Sequence, residues 1–128
     1  MNSITQRAAI VALNECEESV DKMREEFQIR RNFLVEELNK IPNVKCRLPR
    51  GAFYAMPSIA YYLHNNKLGI KNSVQLCEYI LKDYKVAIVP GSAFGADRFV
   101  RFSYATSMEN IKEGVKRFKQ ALLNCVSN

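Results

Sequence analysis

The chain has 128 residues, 48% of them hydrophobic and 25% charged, which is enough to bury one core and excludes a disordered polypeptide. No apolar run is long enough to span a bilayer, and Met1-Asn2-Ser3-Ile4-Thr5-Gln6-Arg7 lacks the apolar centre of a signal peptide, so the expected compartment is the cytosol. The formal charge of +6 is compatible with a nucleic acid or acidic surface and on its own selects neither.

Ser3-x-x-Gln6 reads as a capping box, followed by an Ala-rich apolar stretch from Ile4 to Leu13. Asn14 to Ser19 turns polar and acidic and predicts a break. A longer helix is expected from about Glu18 to Asn39, because Val20, Met23, Phe27, Leu34, Leu38 and Ile41 recur at helical spacing. Glu26 and Arg30 form a favourable i,i+4 pair within it, and Pro42 stops it. Val44, Cys46 and Leu48 alternate with Lys45 and Arg47, as in a half-buried strand. After a turn at Pro49-Arg50-Gly51, residues Ala52 to Met56 read as a buried strand. Ile59 to Leu63 reads as one helical turn and His64 to Lys71 as a loop.

Asn72-x-x-Gln75 caps the next predicted helix, whose apolar face carries Val74, Leu76, Cys77, Ile80, Leu81 and Tyr84. Val86-Ala87-Ile88-Val89, ahead of Pro90-Gly91, reads as a buried strand. Ser92 to Arg98 is a loop, and Phe99 to Tyr104 a further strand. Thr106-x-x-Glu109 is a third capping box. It opens a helix with Ile111, Val115, Phe118 and Leu122 on one side. The expected fold class is α/β: a small, mainly antiparallel sheet packed with helices and preceded by a long helix. Such a helix, amphipathic with a charged centre, suits docking on another domain or subunit. No repeat relates the two halves.

The four cysteines, at 16, 46, 77 and 125, form no C-x-x-C pair, so they read as reduced thiols acting as small core hydrophobes; no metal or redox site is expected. His64, the only histidine, falls in a polar stretch and reads as a surface residue. No Ser-His-Asp or Cys-His arrangement can be assembled. Three segments remain. Pro49-Arg50-Gly51-Ala52-Phe53-Tyr54 holds a glycine that permits a tight turn or a close backbone approach. Val89-Pro90-Gly91-Ser92-Ala93-Phe94-Gly95 sets small residues around one aromatic at a strand end, where ligands of open α/β sheets gather. In Phe99-Val100-Arg101-Phe102-Ser103-Tyr104, alternation puts Val100, Phe102 and Tyr104 on one face and Phe99, Arg101 and Ser103 on the other. If buried, Arg101 needs an anionic or polar partner, and its planar fork suits a ligand carboxylate; the alternatives are a structural salt bridge to one of the chain's own acids or a solvated sheet face.

Taken in order, R-G-A-F-Y, V-A-I-V-P-G-S-A-F-G and V-R-F-S-Y-A closely resemble the C-terminal region of fold-type I aminotransferases, in the aspartate aminotransferase-like branch. The resemblance runs upstream through S-I-T-Q-R-A-A and downstream to the last helix. It implies that residues 1–40 are a helical interdomain connector near the dimer interface. Residues 41–128 would be the small domain that closes over substrate. By the same resemblance Arg101 grips the substrate α-carboxylate, Phe94 lines the substrate side of the pocket, and Gly51 lies near its mouth.

The implied cofactor is pyridoxal phosphate and the implied reaction is amino-group exchange between an amino acid, aspartate or similar, and a 2-oxo acid. The implied partners are those substrates, a large cofactor domain and a second copy in a homodimer. No residue of this chain is expected to be catalytic or to bind cofactor or metal. The family's serine-lysine motif that anchors the cofactor does not occur here, so the 128 residues alone are expected to be inactive. The alternative is a stand-alone α/β module binding nucleic acid through the basic and aromatic residues of Arg98-Phe99-Val100-Arg101-Phe102. The aminotransferase resemblance implies no nucleic acid or membrane partner.

Overall fold

The computed structural model describes residues 2–126. Helix α1 spans Ser3–Glu15 and helix α2 spans Glu17–Asn39, with the expected break at Cys16. Asn2, rather than Ser3, caps α1: its side chain accepts from the Thr5 backbone N–H at 2.8 Å. Asparagine and serine are near-equal caps, and the chain uses the earlier one. No residue of α1 is buried, and Ile4 and Leu13 are 80% and 86% exposed. The first turns of α2 are exposed as well; Leu34, Val35 and Leu38 are its buried residues, with Phe27 and Phe33 half-buried against the core. The predicted Glu26–Arg30 pair forms at 3.3 Å.

Three short strands follow, β1 (Tyr54–Ala55), β2 (Val89–Pro90) and β3 (Val100–Ser103), with helices α3 (Ala60–Asn65), α4 (Ser73–Tyr84) and α5 (Met108–Val126) around them. The sheet order is β1-β3-β2 and both pairings are antiparallel. Its core face carries Ala55, Val100 and Phe102, continued by Tyr104. Phe102 meets Phe118 of α5 edge-on at 4.9 Å between ring centroids. Helix α5 buries Ile111, Val115, Phe118 and Leu122 as their spacing predicts. Each such side chain stabilises by about 1.5–3 kcal/mol.

The strand expected over Val44–Leu48 is reduced to one bridge, Lys45 to Ser58. Asn39 takes the place of a strand partner. Its Nδ2 donates to the Cys46 carbonyl at 3.0 Å, and its Oδ1 accepts from the Cys46 N–H at 2.9 Å. Val44 and Cys46 are buried as expected, whereas Leu48 is 55% exposed. The strand expected over Ala52–Met56 shortens to Tyr54–Ala55 because Ala52 takes a left-handed conformation, φ 57°.

Val86–Val89 is not the buried strand its composition suggests. The ladder begins at Val89, Ala87 is exposed, and Ile88 and Val89 are half-buried. This strand lies at the sheet edge, and Pro90 has no N–H to extend the pairing. The loop expected from His64 starts later, as α3 continues through Asn65. Asn66 then closes it, accepting from the Ile70 N–H and donating to the carbonyls of Tyr62, Leu63 and Ile70.

On α4, the cap is Asn72 as predicted, but the apolar face is narrower than expected: Val74 and Leu81 are exposed. The last helix begins one residue beyond the predicted box. Ser107 Oγ, rather than Thr106, accepts from the Asn110 backbone N–H at 3.2 Å. Cys46, Cys77 and Cys125 are buried free thiols, whereas Cys16 sits half-buried at the helix break and is not a core residue. No helix among the described residues is long and apolar enough to cross a membrane.

Candidate functional site

The face of the sheet turned away from the core is where the sequence places Arg101. Val100, Phe102 and Tyr104 are buried on one side of β3, whereas Arg101 is half-buried and Ser103 exposed on the other. Val89 pairs with Arg101, and Tyr54 pairs with Ser103. Directly opposed residues share a face, and diagonal neighbours come within reach of long side chains. Tyr54 is accordingly brought over the arginine. The Arg101 Cζ lies 4.3 Å from the centre of the Tyr54 ring and 4.5 Å from that of Phe94.

The ion pairs among the described residues all join other side chains. Among the described residues Arg101 has no acid partner, so no structural salt bridge there accounts for it. Two rings lie within cation–π distance of its guanidinium, and no hydrogen bond or ion pair among the described residues occupies its N–H donors, which an outside acceptor can reach.

Phe94 reaches this position through a constrained loop, the 3-10 turn Gly91–Phe94 followed by left-handed Gly95 at φ 70°. The Gly91 N–H donates to the Phe99 carbonyl and its own carbonyl accepts from the Ala96 N–H, each at 2.9 Å. A Cβ on Gly91 would fall 2.1 Å from the Ala96 oxygen and 2.4 Å from the Phe99 oxygen, so no other residue fits. Asp97 ties the loop to α4. Its carboxylate accepts from the Ser73 N–H at 2.9 Å and from the Ser73 hydroxyl at 2.6 Å. These bonds hold the Asp97 carboxyl below its ordinary range. Ser73 Oγ in turn accepts from the Ser92 N–H at 3.2 Å.

Of the three residues singled out in the sequence, Arg101 and Phe94 come together. Gly51 is exposed in the loop before β1. A Cβ there would meet nothing within 4 Å, and the positive φ of this turn falls on Ala52 instead. Tyr54 was not anticipated, and its only sequence signal was its place in R-G-A-F-Y. The Ser73–Asp97 tie was equally unforeseen. Phe102, part of the nucleic-acid alternative, packs in the core and is not available to stack bases. His64 is exposed on α3, as expected.

Residues 1–118 match the family described as Aminotransferase class I and II. The chain belongs to this family. It is 44% identical over 124 residues to a probable aspartate/prephenate aminotransferase of Aquifex aeolicus, covering 95% of this chain and 30% of that protein. An aspartate aminotransferase of Rhizobium meliloti is 42% identical, over 94% of this chain and 30% of its own length. The crystal structure of the aspartate aminotransferase from Rhizobium meliloti superposes with a TM-score of 0.90 at 41% identity, covering 98% of this chain and 32% of that one. This aminotransferase chain thus spans about 30% of the length of the curated relatives it matches.

The family implies pyridoxal phosphate. An anchor for that aldehyde calls for a lysine amine held in a pocket. All ten lysines of this chain are exposed, and the open sheet face offers one guanidinium and two rings. That set fits an anionic substrate group and does not fit the cofactor's anchor.

Proposed function

We propose that this chain is the substrate-closing portion of an aminotransferase that exchanges an amino group between an amino acid, aspartate or similar, and a 2-oxo acid. Arg101 holds the α-carboxylate common to both substrates. The observation that carries this reading is an arginine flanked by two aromatic rings, with no acid partner among the described residues, on the open face of a small sheet. A planar fork binds a carboxylate by two parallel N–H bonds and thereby fixes the orientation of the carbon beside it. In the full-length enzyme the family resemblance has Phe94 line the substrate side of the pocket and Gly51 lie near its mouth.

Residues 1–40 are proposed as the connector to a large domain that anchors pyridoxal phosphate, in a homodimeric, cytosolic enzyme. The uncovered apolar side chains of α1, Ile4 and Leu13 among them, support a docked role for that segment. The test is Arg101→Lys in the full-length protein. Replacing the fork by a point charge is expected to raise KM and lower kcat/KM by roughly ten- to a hundredfold. Unchanged kinetics would remove Arg101 from this role. The purified 128-residue chain is expected to show no transamination.

A further inference from the structure

The one sequence signal at Tyr54 is its place in R-G-A-F-Y, yet its ring lies 4.3 Å from the Arg101 Cζ, beside the Phe94 ring at 4.5 Å. We propose that Tyr54 is a positioning residue for the Arg101 fork. Its ring is the fixed wall of a slot that admits a carboxylate only along the guanidinium edge. The inference rests on the reading of Arg101 as the carboxylate-binding group.

The two walls are built differently. Phe94 sits on a 3-10 turn and is 47% exposed. Tyr54 sits on β1, in register with Ser103, so the sheet itself sets where its ring begins. Phe53 braces that ring at 4.3 Å between centroids, and Phe53 in turn lies 6.5 Å from Phe27 of α2. An unbroken aromatic path therefore runs from the projecting helix to the arginine.

A guanidinium is weakly hydrated on its faces and carries all its donors at its edge. Packing rings against it costs little hydration, restricts rotation of a long flexible side chain, and leaves donors free for an anion. Less ordering is then needed when an anion arrives. The Tyr54 hydroxyl makes no hydrogen bond among the described residues, so the ring face is the part that acts.

The test uses the full-length protein with L-aspartate and 2-oxoglutarate as substrates and maleate as an unreactive dicarboxylate measured by calorimetry. Tyr54→Leu is expected to raise both KM values and the maleate Kd by roughly tenfold with kcat within about twofold, the loss of one cation–π face. Tyr54→Val, better suited to a strand, serves if the leucine variant does not fold and carries the same expectation. Tyr54→Phe keeps the ring and is expected to match the parent on all three measures.

The proposal is overturned if Tyr54→Leu and Tyr54→Val bind normally while Arg101→Lys does not, and the reading of Arg101 then stands without it. It is also overturned if Tyr54→Phe is as damaging as Tyr54→Leu, which would assign the effect to the hydroxyl. A fall in kcat at unchanged KM overturns it too. If Arg101→Lys itself changes nothing, the carboxylate reading fails and this inference goes with it.

Discussion

The Ser73 hydroxyl, wholly buried, donates to Asp97 at 2.6 Å across 24 residues of sequence and so locks the Phe94 loop onto the start of α4. One oxygen serves two elements, because the same Ser73 Oγ also accepts from the Ser92 N–H. Ser73→Ala leaves that N–H without its partner and Asp97 with only the backbone bond. We expect a loss of about 1–2 kcal/mol, read as a lower urea midpoint at unchanged slope.

The same contact carries a pH signature. The Asp97 carboxyl is held below its ordinary value, first by the Ser73 hydroxyl and then by the Ser73 N–H. The folded state therefore binds the proton less readily than the unfolded chain. The contribution is present above the unfolded value of about 3.9 and is lost as pH falls through the lower folded value. Urea midpoints taken at pH 7, 4 and 3 should fall less steeply for Asp97→Asn than for the parent. A parallel decline in the two proteins would show that Asp97 carries no proton-linked stability.

Two glycines make opposite predictions. Gly91→Ala would drive a Cβ to 2.1 Å from a backbone oxygen, which no side-chain movement can relieve. A loss of about 2–3 kcal/mol or more is expected, with the Phe94 turn displaced. Gly114 lies inside α5, and a Cβ there would meet nothing within 4 Å. Gly114→Ala should stabilise by about 0.5–1 kcal/mol, since alanine is the better helix former. Thermal midpoints of the two variants, measured side by side, check both signs.

What could be read in the sequence was whatever depends on local period. Alternation along β3 placed Arg101 opposite Phe102, and helical spacing selected Ile111, Val115, Phe118 and Leu122 as the buried side of α5. What escaped depends on partners distant in sequence. Tyr54 meets Arg101 only because β1 and β3 pair in one particular register. Asp97 meets Ser73 only once the loop folds back on α4.

Val86–Val89 shows the limit of composition. Four apolar residues in a row suggest burial on both faces, but an edge position and Pro90 decide otherwise. The misplaced caps have a smaller cause. Asn2 stands beside Ser3 and Ser107 beside Thr106, so each site offered two competent oxygens. Leu48 kept the alternation of a strand, but Asn39 had already satisfied the backbone of Cys46.

The thiols give a further check on the packing. Burial pushes Cys46 and Cys125 up to about 11 and Cys77 up to about 12. At pH 8 these three are almost entirely protonated, and the thiolate is the reactive form. Their side chains are also at most 7% exposed, so a reagent must wait for the fold to open. Cys16, half-buried at the junction of α1 and α2, has no such shield. One thiol of the 128-residue chain should therefore react with an aromatic disulfide at pH 8 within minutes, and the other three only after denaturant is added. Raising the pH toward 9 should leave that count unchanged, because the three buried groups still hold their protons. Rapid reaction of two or more thiols in the native chain would mean that the core around α4 and α5 opens more readily than its packing implies.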